Sequence, residues 1–292
     1  MKKSYAAGVF FFLFLINPFL YSQCTLKPPC GTPKLPEMFV SRYLTDKRIN
    51  EFSHPTFSNP VISKAKAIKF LLSNENFVFE YTQMAMKSLF KEIIKTDAAG
   101  IRIYFALFNG CTDSPLPITG TQIIVLYTAS YPSIAPDKYY FVNTNDDKLY
   151  EVSKACGETW RNSYETIVLP LLRQTINAAD PDDMDAPGVF TDTKSIFFEK
   201  KPILDAFENE EEYQCCKHSI QISGYRMSFS AYTEKGNYEN KNKKRLHLQY
   251  EYLYKKAGKK YRLLQETQSD YNQRHNPIHK LNNGQLCPVN CS

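Results

Sequence analysis

The first 23 residues constrain this chain more than any other feature, because they indicate where the rest of it folds. Lys2 and Lys3 precede an apolar run from Ala6 to Ile16, Pro18 ends the run, and a polar exit follows at Tyr21-Ser22-Gln23. A charged start, a short apolar run and a polar exit are typical of a signal peptide, and the run is too short to span a bilayer as a helix. We therefore expect an exported protein (periplasmic, on the cell surface or secreted) that folds in an oxidising compartment. No later run is long enough to span a membrane after the leader is removed.

Eight cysteines follow the leader, and an even number of cysteines in an exported chain favours disulfides over free thiols. We expect local bridges between Cys111 and Cys156 and between Cys287 and Cys291, and Cys24 with Cys30 is a candidate bridge at the N-terminus. The full connectivity stays open, because eight cysteines allow about 105 pairings. Lipidation of Cys24 is the alternative, but Gln23 stands where lipoprotein processing requires a small residue.

The distribution of proline and the hydrophobic periodicity divide the rest of the chain. Residues 24–59 carry prolines at a density that favours an extended, irregular arm. We expect, in order, a signal peptide at 1–23, the Pro-rich arm at 24–59, an α+β unit at 60–178, a helix plus β-meander unit at 190–270 and a C-terminal tail at 271–292.

Helical and strand periodicities alternate in the first unit. Apolar residues at helical spacing predict helices after Asn59-Pro60 to about Asn74, from about Thr82 to Lys95, and from Trp160 to Asn177 with a kink or break near Pro170. Alternating or continuous apolar runs predict strands at 101–107, 122–128 and 139–143. The core positions predicted on these strands are Ile101, Ile103, Phe105, Ile123, Val125 and Phe141. The pattern favours an α+β fold with a mostly antiparallel sheet and helices on one face.

The second unit begins as a helix and continues as strands. We expect a helix from about Asp192 to Tyr213, and then a C-terminal β-meander with strands at 219–232, 244–255 and 259–267. Leu246, Leu248, Tyr250, Tyr252 and Tyr254 recur at period two, so they lie on one face of the middle strand.

Two stretches resemble uncharacterised exported proteins of the Bacteroidota. They are AAGIRIYFAL, from Ala98 to Leu107 after a helix, and the closing NNGQLCPVNC, from Asn282 to Cys291; the exit Tyr21-Ser22-Gln23 is also similar to such leaders. The resemblance implies an exported location and carries no activity and no catalytic residue.

The sequence offers few candidates for chemistry. Acidic residues crowd one loop at Asp180, Asp182, Asp183 and Asp185, and their oxygens are the ligands that calcium prefers, but Met184 breaks the EF-hand pattern. A solvated acidic loop is the competing interpretation. No G-x-S-x-G elbow occurs, so the usual serine-hydrolase motif is absent. We predict no catalytic residue and no cofactor.

The candidate binding surface lies on the meander. Tyr250, Tyr252 and Tyr254 stand near the basic pair Lys244 and Arg245, and rings with cationic groups suit sugars or anionic chains. The competing interpretation is that the tyrosines pack in the core. The net charge of +6 is too small to indicate nucleic-acid binding.

The function that these features favour is that of a non-enzymatic binding or envelope-associated protein, whose partner is an envelope glycan or another exported protein. The alternative is a secreted hydrolase of polysaccharide or peptide whose carboxylates are dispersed in the sequence.

Overall fold

The chain folds into two antiparallel sheets with helices packed around them, which confirms the α+β class. The computed structural model describes residues 42–54, 63–72, 77–94, 97–111, 114–131, 135–172, 192–201, 221–231, 245–256, 259–262 and 285–287. Within these ranges, no helix is long and apolar enough to cross a membrane.

The elements within these ranges run in chain order as follows. The helices are α1 (Arg42–Ser53), α2 (Lys64–Leu72), α3 (Gln83–Ile94) and α4 (Lys154–Ser163), and α4 continues into a π-helical segment (Tyr164–Val168). The strands are β1 (Val78–Thr82), β2 (Gly100–Phe108), β3 (Gln122–Ser130), β4 (Lys138–Val142), β5 (Leu149–Ser153), β6 (Ser195–Glu199), β7 (Gln221–Ala231), β8 (Leu246–Lys256), β9 (Lys259–Arg262) and β10 (Gln285–Cys287).

The order of strands in the sheets differs from their order in the chain. One sheet has the order β1-β7-β8-β9 and the other the order β10-β6-β2-β3-β4-β5. β1 comes from the predicted 60–178 unit and pairs with β7, whereas β6 follows residue 190 and pairs with β2. Each predicted unit therefore contributes a strand to a sheet formed largely by the other. The predicted meander of β7, β8 and β9 is confirmed, because consecutive strands pair antiparallel.

The main hydrophobic core lies between the two sheets. The ring centroids of Phe105 on β2 and Phe229 on β7 lie 5.5 Å apart, and those of Phe198 on β6 and Tyr250 on β8 lie 5.9 Å apart. Helix α3 adds its apolar face, with Met86 and Leu89 fully buried. The predicted core positions are buried at Ile101, Ile103, Phe105, Ile123 and Val125, whereas Phe141 is only partly buried and packs against the second core.

A second core forms on the other face of the six-stranded sheet, under α4. Trp160 is completely buried against Phe108, and its indole N–H donates to the carbonyl of Gly110 at 3.1 Å. The predicted disulfide between Cys111 and Cys156 is present and joins the loop after β2 to the start of α4. The side chains of Cys24, Cys30, Cys287 and Cys291 lie outside the described residues.

Helix α4 begins earlier than the sequence pattern predicts. The Ser153 hydroxyl accepts a hydrogen bond from the Cys156 N–H, which caps the first turn and places the start at Lys154 instead of Trp160. A π-helical segment precedes Pro170, in which the Leu169 N–H donates to the Tyr164 carbonyl, and the helix continues through Pro170 to residue 172.

Two predicted segments are wrong. Residues 42–53 form α1 instead of an irregular arm, because the stretch between Pro36 and Pro55 contains no proline to interrupt a helix. Residues 195–199 form β6 instead of the start of a helix, because pairing with β2 outweighs the local helical spacing of the apolar residues.

Candidate functional site

The predicted binding surface on β8 does not lie where the sequence pattern places it. Tyr250 is on the face of β8 that turns toward the other sheet, and its hydroxyl is buried. Arg245 is only 4% exposed, so it presents no cationic group to solvent. The prediction of an exposed aromatic and basic surface is therefore wrong at these two residues. Lys244 and the side chains of Tyr252 and Tyr254 lie outside the described residues.

The Tyr250 hydroxyl belongs to a group of buried phenols in the core between the sheets. Tyr127 donates to the sulfur of Met227 at 3.7 Å, and Tyr81 is also buried. Burial raises the pKa of Tyr127 to about 12 and raises the pKa of Tyr250 well above its usual value. These tyrosines therefore stay protonated near neutral pH and act as packing groups with polar ends.

The metal prediction is not tested by the described residues. Asp180, Asp182, Asp183 and Asp185 all lie outside them. Within the part of the chain that the structure describes, no three His, Cys, Asp or Glu side chains are grouped closely enough to hold a metal ion.

The opposite face of β7 and β8 carries a polar arrangement that the sequence analysis did not single out. Three successive cross-strand neighbours pair Arg226 with Glu251, Ser228 with Gln249 and Ser230 with His247. Neighbours in such pairs stand side by side on one face. We call these six residues the polar layer.

Five of the six residues of the polar layer are buried, and Arg226 is part-buried. Ser228 and Ser230 are completely buried, and Gln249 and Glu251 are each 3% exposed. Among the residues that the structure describes, the hydroxyls of Ser228 and Ser230, the Nε2 of Gln249 and the Nε of Arg226 have no hydrogen-bond partner. Folded proteins rarely leave such groups unsatisfied, since each unpaired buried group costs about 1–3 kcal/mol.

A buried ion pair ties α2 to the segment before β6, beside the polar layer. The Lys64 ammonium lies 2.5 Å from Asp192 Oδ2, with both side chains almost fully buried. Asp192 Oδ1 accepts hydrogen bonds from the N–H of Thr193 at 2.7 Å and from the N–H of Leu246, at the start of β8, at 2.6 Å. Burial lowers the pKa of Lys64, while Asp192 opposes that shift. Both oxygens of Asp192 are thus engaged in holding α2, the β6 segment and β8 together.

Helix α1 brings two more charged groups to this region. Arg48 and Glu51 are 1% and 7% exposed, and α1 contacts both β7 and β8. Burial is the main cause that lowers the pKa of His247 well below its usual value, and the positive charge of Arg48 lowers it further. His247 is therefore a neutral imidazole near neutral pH.

This arrangement suits recognition more than proton transfer. The hydroxyls and amide without partners offer several donors and acceptors on two strands, whereas the carboxylate of Asp192 is engaged by Lys64 and two backbone N–H groups. A signal for the site is present in the sequence, because Arg245, His247, Gln249 and Glu251 alternate at period two. Polar alternation normally indicates a solvent-facing side, and only the structure shows that this side is buried.

The chain matches no protein-family model, and no curated protein and no solved structure matches it either. The resemblance to exported proteins of the Bacteroidota therefore stays a prediction.

Proposed function

We propose that this is an exported binding protein that acts without chemical turnover and holds a small polar ligand against the polar layer. The unpartnered, fully buried hydroxyls of Ser228 and Ser230 carry the proposal. A buried hydroxyl that lacks a partner reduces stability. Two such hydroxyls lie on the same face of β7, and we infer that a bound partner satisfies them. The leader, together with the Cys111–Cys156 disulfide, supports export.

Burial of the polar layer also determines how the ligand behaves. Residues that are 0–3% exposed have no open space beside them, so the surrounding structure must open for a ligand to reach the polar layer and again for it to leave. We therefore expect slow dissociation, and a fraction of the purified protein should still carry the ligand.

Native mass spectrometry of the protein purified from a secreting host tests this proposal. The native mass should exceed the denatured mass by one discrete small increment. The increment should be lost in the double variant Ser228→Ala/Ser230→Ala and kept in Ser88→Ala, which removes an exposed hydroxyl on α3. An absence of any increment in the wild type contradicts binding, and release of the ligand in a chemically altered form contradicts the non-enzymatic assignment.

A further inference from the structure

A guanidinium group is held on aromatic rings at the face of the six-stranded sheet that α4 covers. The guanidinium carbon of Arg161 lies 3.7 Å from the centroid of the Tyr104 ring, and its Nη1 donates to the Tyr139 hydroxyl at 2.6 Å. Tyr104 is 9% exposed and Tyr139 is completely buried, whereas Arg161 itself is only part-buried. The two rings therefore fix the position of a cation that still reaches the surface.

The outer end of this guanidinium is available to a ligand from solvent. The Nε of Arg161 is buried without a hydrogen-bond partner, so protein encloses it and a ligand does not reach it. Nη2 has no hydrogen-bond partner among the residues that the structure describes, and it is not fully buried. Nη1 and Nη2 form the outer fork of the guanidinium, whose shape matches the two oxygens of a carboxylate. Binding at this fork requires no internal cavity.

The acidic residues nearest to Arg161 on its helix are engaged by lysines. Glu158, three residues before it, lies 3.9 Å from the ammonium of Lys154. Glu165, four residues after it, lies 2.5 Å from the ammonium of Lys194. Within the described ranges, no ion pair joins Arg161 to an acidic side chain. An anion at the outer fork thus meets a positive charge that no neighbouring carboxylate neutralises.

The remaining charges on this face of the sheet balance each other. Arg102 is two residues before Tyr104 on β2, so both side chains stand on the same side of the strand. The guanidinium carbon of Arg102 lies 5.4 Å from the centroid of Phe197 on β6. The exposed Glu199 follows Phe197 by two residues on β6 and adds a negative charge to the same face. The face is therefore left with the single positive charge of Arg161.

We propose that Arg161, held in place by Tyr104 and Tyr139, binds the carboxylate of an acidic ligand at this face of the sheet. The site is separate from the polar layer and does not depend on the ligand proposed there. A carboxylate carries one negative charge and two coplanar oxygens, so it matches both the single unmatched charge and the flat fork of the guanidinium. A small free acid and a uronic-acid sugar of an acidic glycan share this group, and the experiment separates the two sources.

NMR titration of the full mature protein provides the test, with the side-chain Nε–H resonance of Arg161 as the readout. This N–H is buried, so it is shielded from solvent while the nearby fork binds the probe. The probes are acetate, glucuronate, a short oligomer of glucuronate, uncharged methyl glucoside and phosphate, all at matched ionic strength.

Three variants accompany the wild type in this titration. Arg161→Gln removes the charge, and Arg161→Lys keeps the charge but removes the fork. Lys154→Gln is the matched control, because it removes one positive charge from the same helix at a side chain that is 48% exposed. Amide-proton shifts near α4 report binding in the two Arg161 variants.

We expect saturable shifts with at least one carboxylate probe and none with methyl glucoside. The affinity should fall about tenfold or more in Arg161→Gln and Arg161→Lys, because a charge-assisted, bidentate contact is lost, and should stay within about twofold in Lys154→Gln. Binding of acetate and glucuronate assigns a free acid, and binding of the oligomer alone assigns a glycan. If Arg161→Gln does not fold, the comparison of Arg161→Lys with Lys154→Gln decides.

Three results overturn the proposal. Phosphate that binds more tightly than every carboxylate contradicts the choice of ligand. Equal weakening in Lys154→Gln and Arg161→Gln shows general attraction by positive charge instead of a site at Arg161. A wild type that shows no saturable shift with any carboxylate assigns Arg161 to packing alone. None of these results affects the ligand of the polar layer, which the native mass of the protein tests independently.

Discussion

Lys64 and Asp192 form a buried ion pair between residues that are 128 positions apart in the chain. The contact joins the first residue of α2 to the segment that leads into β6, and through Asp192 it also holds the backbone of Leu246 at the start of β8. One carboxylate thus connects three parts of the chain that are distant in sequence.

Breaking this pair should be strongly destabilising. Lys64→Met leaves the carboxylate of Asp192 buried without its cation, and we expect a loss of about 3–5 kcal/mol in the free energy of unfolding. Lys138→Met is the matched control, because it breaks a pair with Glu151 whose side chains are 50% and 60% exposed. The control should change stability by about 1 kcal/mol or less. Urea denaturation measures both, and equal losses would contradict a special role for the buried pair.

The neutral state of His247 predicts a dependence of stability on pH. The pKa of His247 in the folded protein lies well below the unfolded value of 6.5. Below that pH the unfolded chain therefore takes up a proton that the folded chain does not. The free energy of unfolding should fall as the pH decreases from about 6.5 to 5.5, by up to about 1.4 kcal/mol per pH unit from this group.

One histidine variant isolates this contribution. His247→Gln should have a smaller slope of stability against pH in that window than the wild type. Denaturation midpoints at several pH values provide the measurement. An identical slope in the wild type and His247→Gln would show that the imidazole titrates equally in the folded and unfolded states.

Gly157 in α4 allows the helix to lie directly on a buried ring. A Cβ at this position would clash with the Tyr139 ring, whose hydroxyl accepts a hydrogen bond from Arg161 at 2.6 Å. Gly157→Ala should therefore be destabilising, although alanine favours a helix over glycine by about 1 kcal/mol.

The exposed Ala155 provides the control on the same helix. Ala155→Gly should cost about 0.5–1 kcal/mol through helix propensity alone. Thermal melting should place Gly157→Ala below Ala155→Gly, which reverses the order expected from propensity. The opposite ranking would mean that Tyr139 moves aside without cost.

Removal of the Cys111–Cys156 bridge should weaken the protein measurably. The bridge closes a loop with a sequence separation of 45 residues. In the chain-entropy model a loop of this length contributes about 4 kcal/mol. The variant Cys111→Ala/Cys156→Ala should unfold at lower denaturant concentration than the wild type, and the difference should disappear when both proteins are measured in reductant. A difference that persists in reductant would point to lost packing at Cys156, which is almost fully buried.

Local patterns in the sequence predict several elements whose partners are close in the chain, although they miss β5, which pairs with the adjacent β4. The alternation of Ile101, Ile103 and Phe105 identifies β2, and the apolar face of α3 is also visible as periodicity. The short strands β1 and β6 are not predicted, because each is five residues long and is defined by a partner far away in sequence. Register with β7 and β2 fixes them, and a single sequence does not contain that information in a local form.

The candidate site on β7 and β8 shows the same limit of local sequence patterns. Period two places Leu248 and Tyr250 on one face of β8 and His247 and Gln249 on the other. It does not say which face meets the second sheet or that both are buried. The tyrosine face therefore looked like a binding surface from composition, whereas the structure assigns it to the core and leaves the unpartnered polar groups on the opposite side.

The exchange of strands between the two halves of the chain has a consequence for how the protein forms. Because the chain is synthesised from its N-terminus, β1 is available long before its partner β7, and β2 is available long before its partner β6. Neither half can complete its sheet alone, so the edges of β1 and β2 stay open to other chains until the last third of the sequence is available to pair with them. We therefore expect a product truncated before residue 195 to aggregate instead of forming a smaller folded protein.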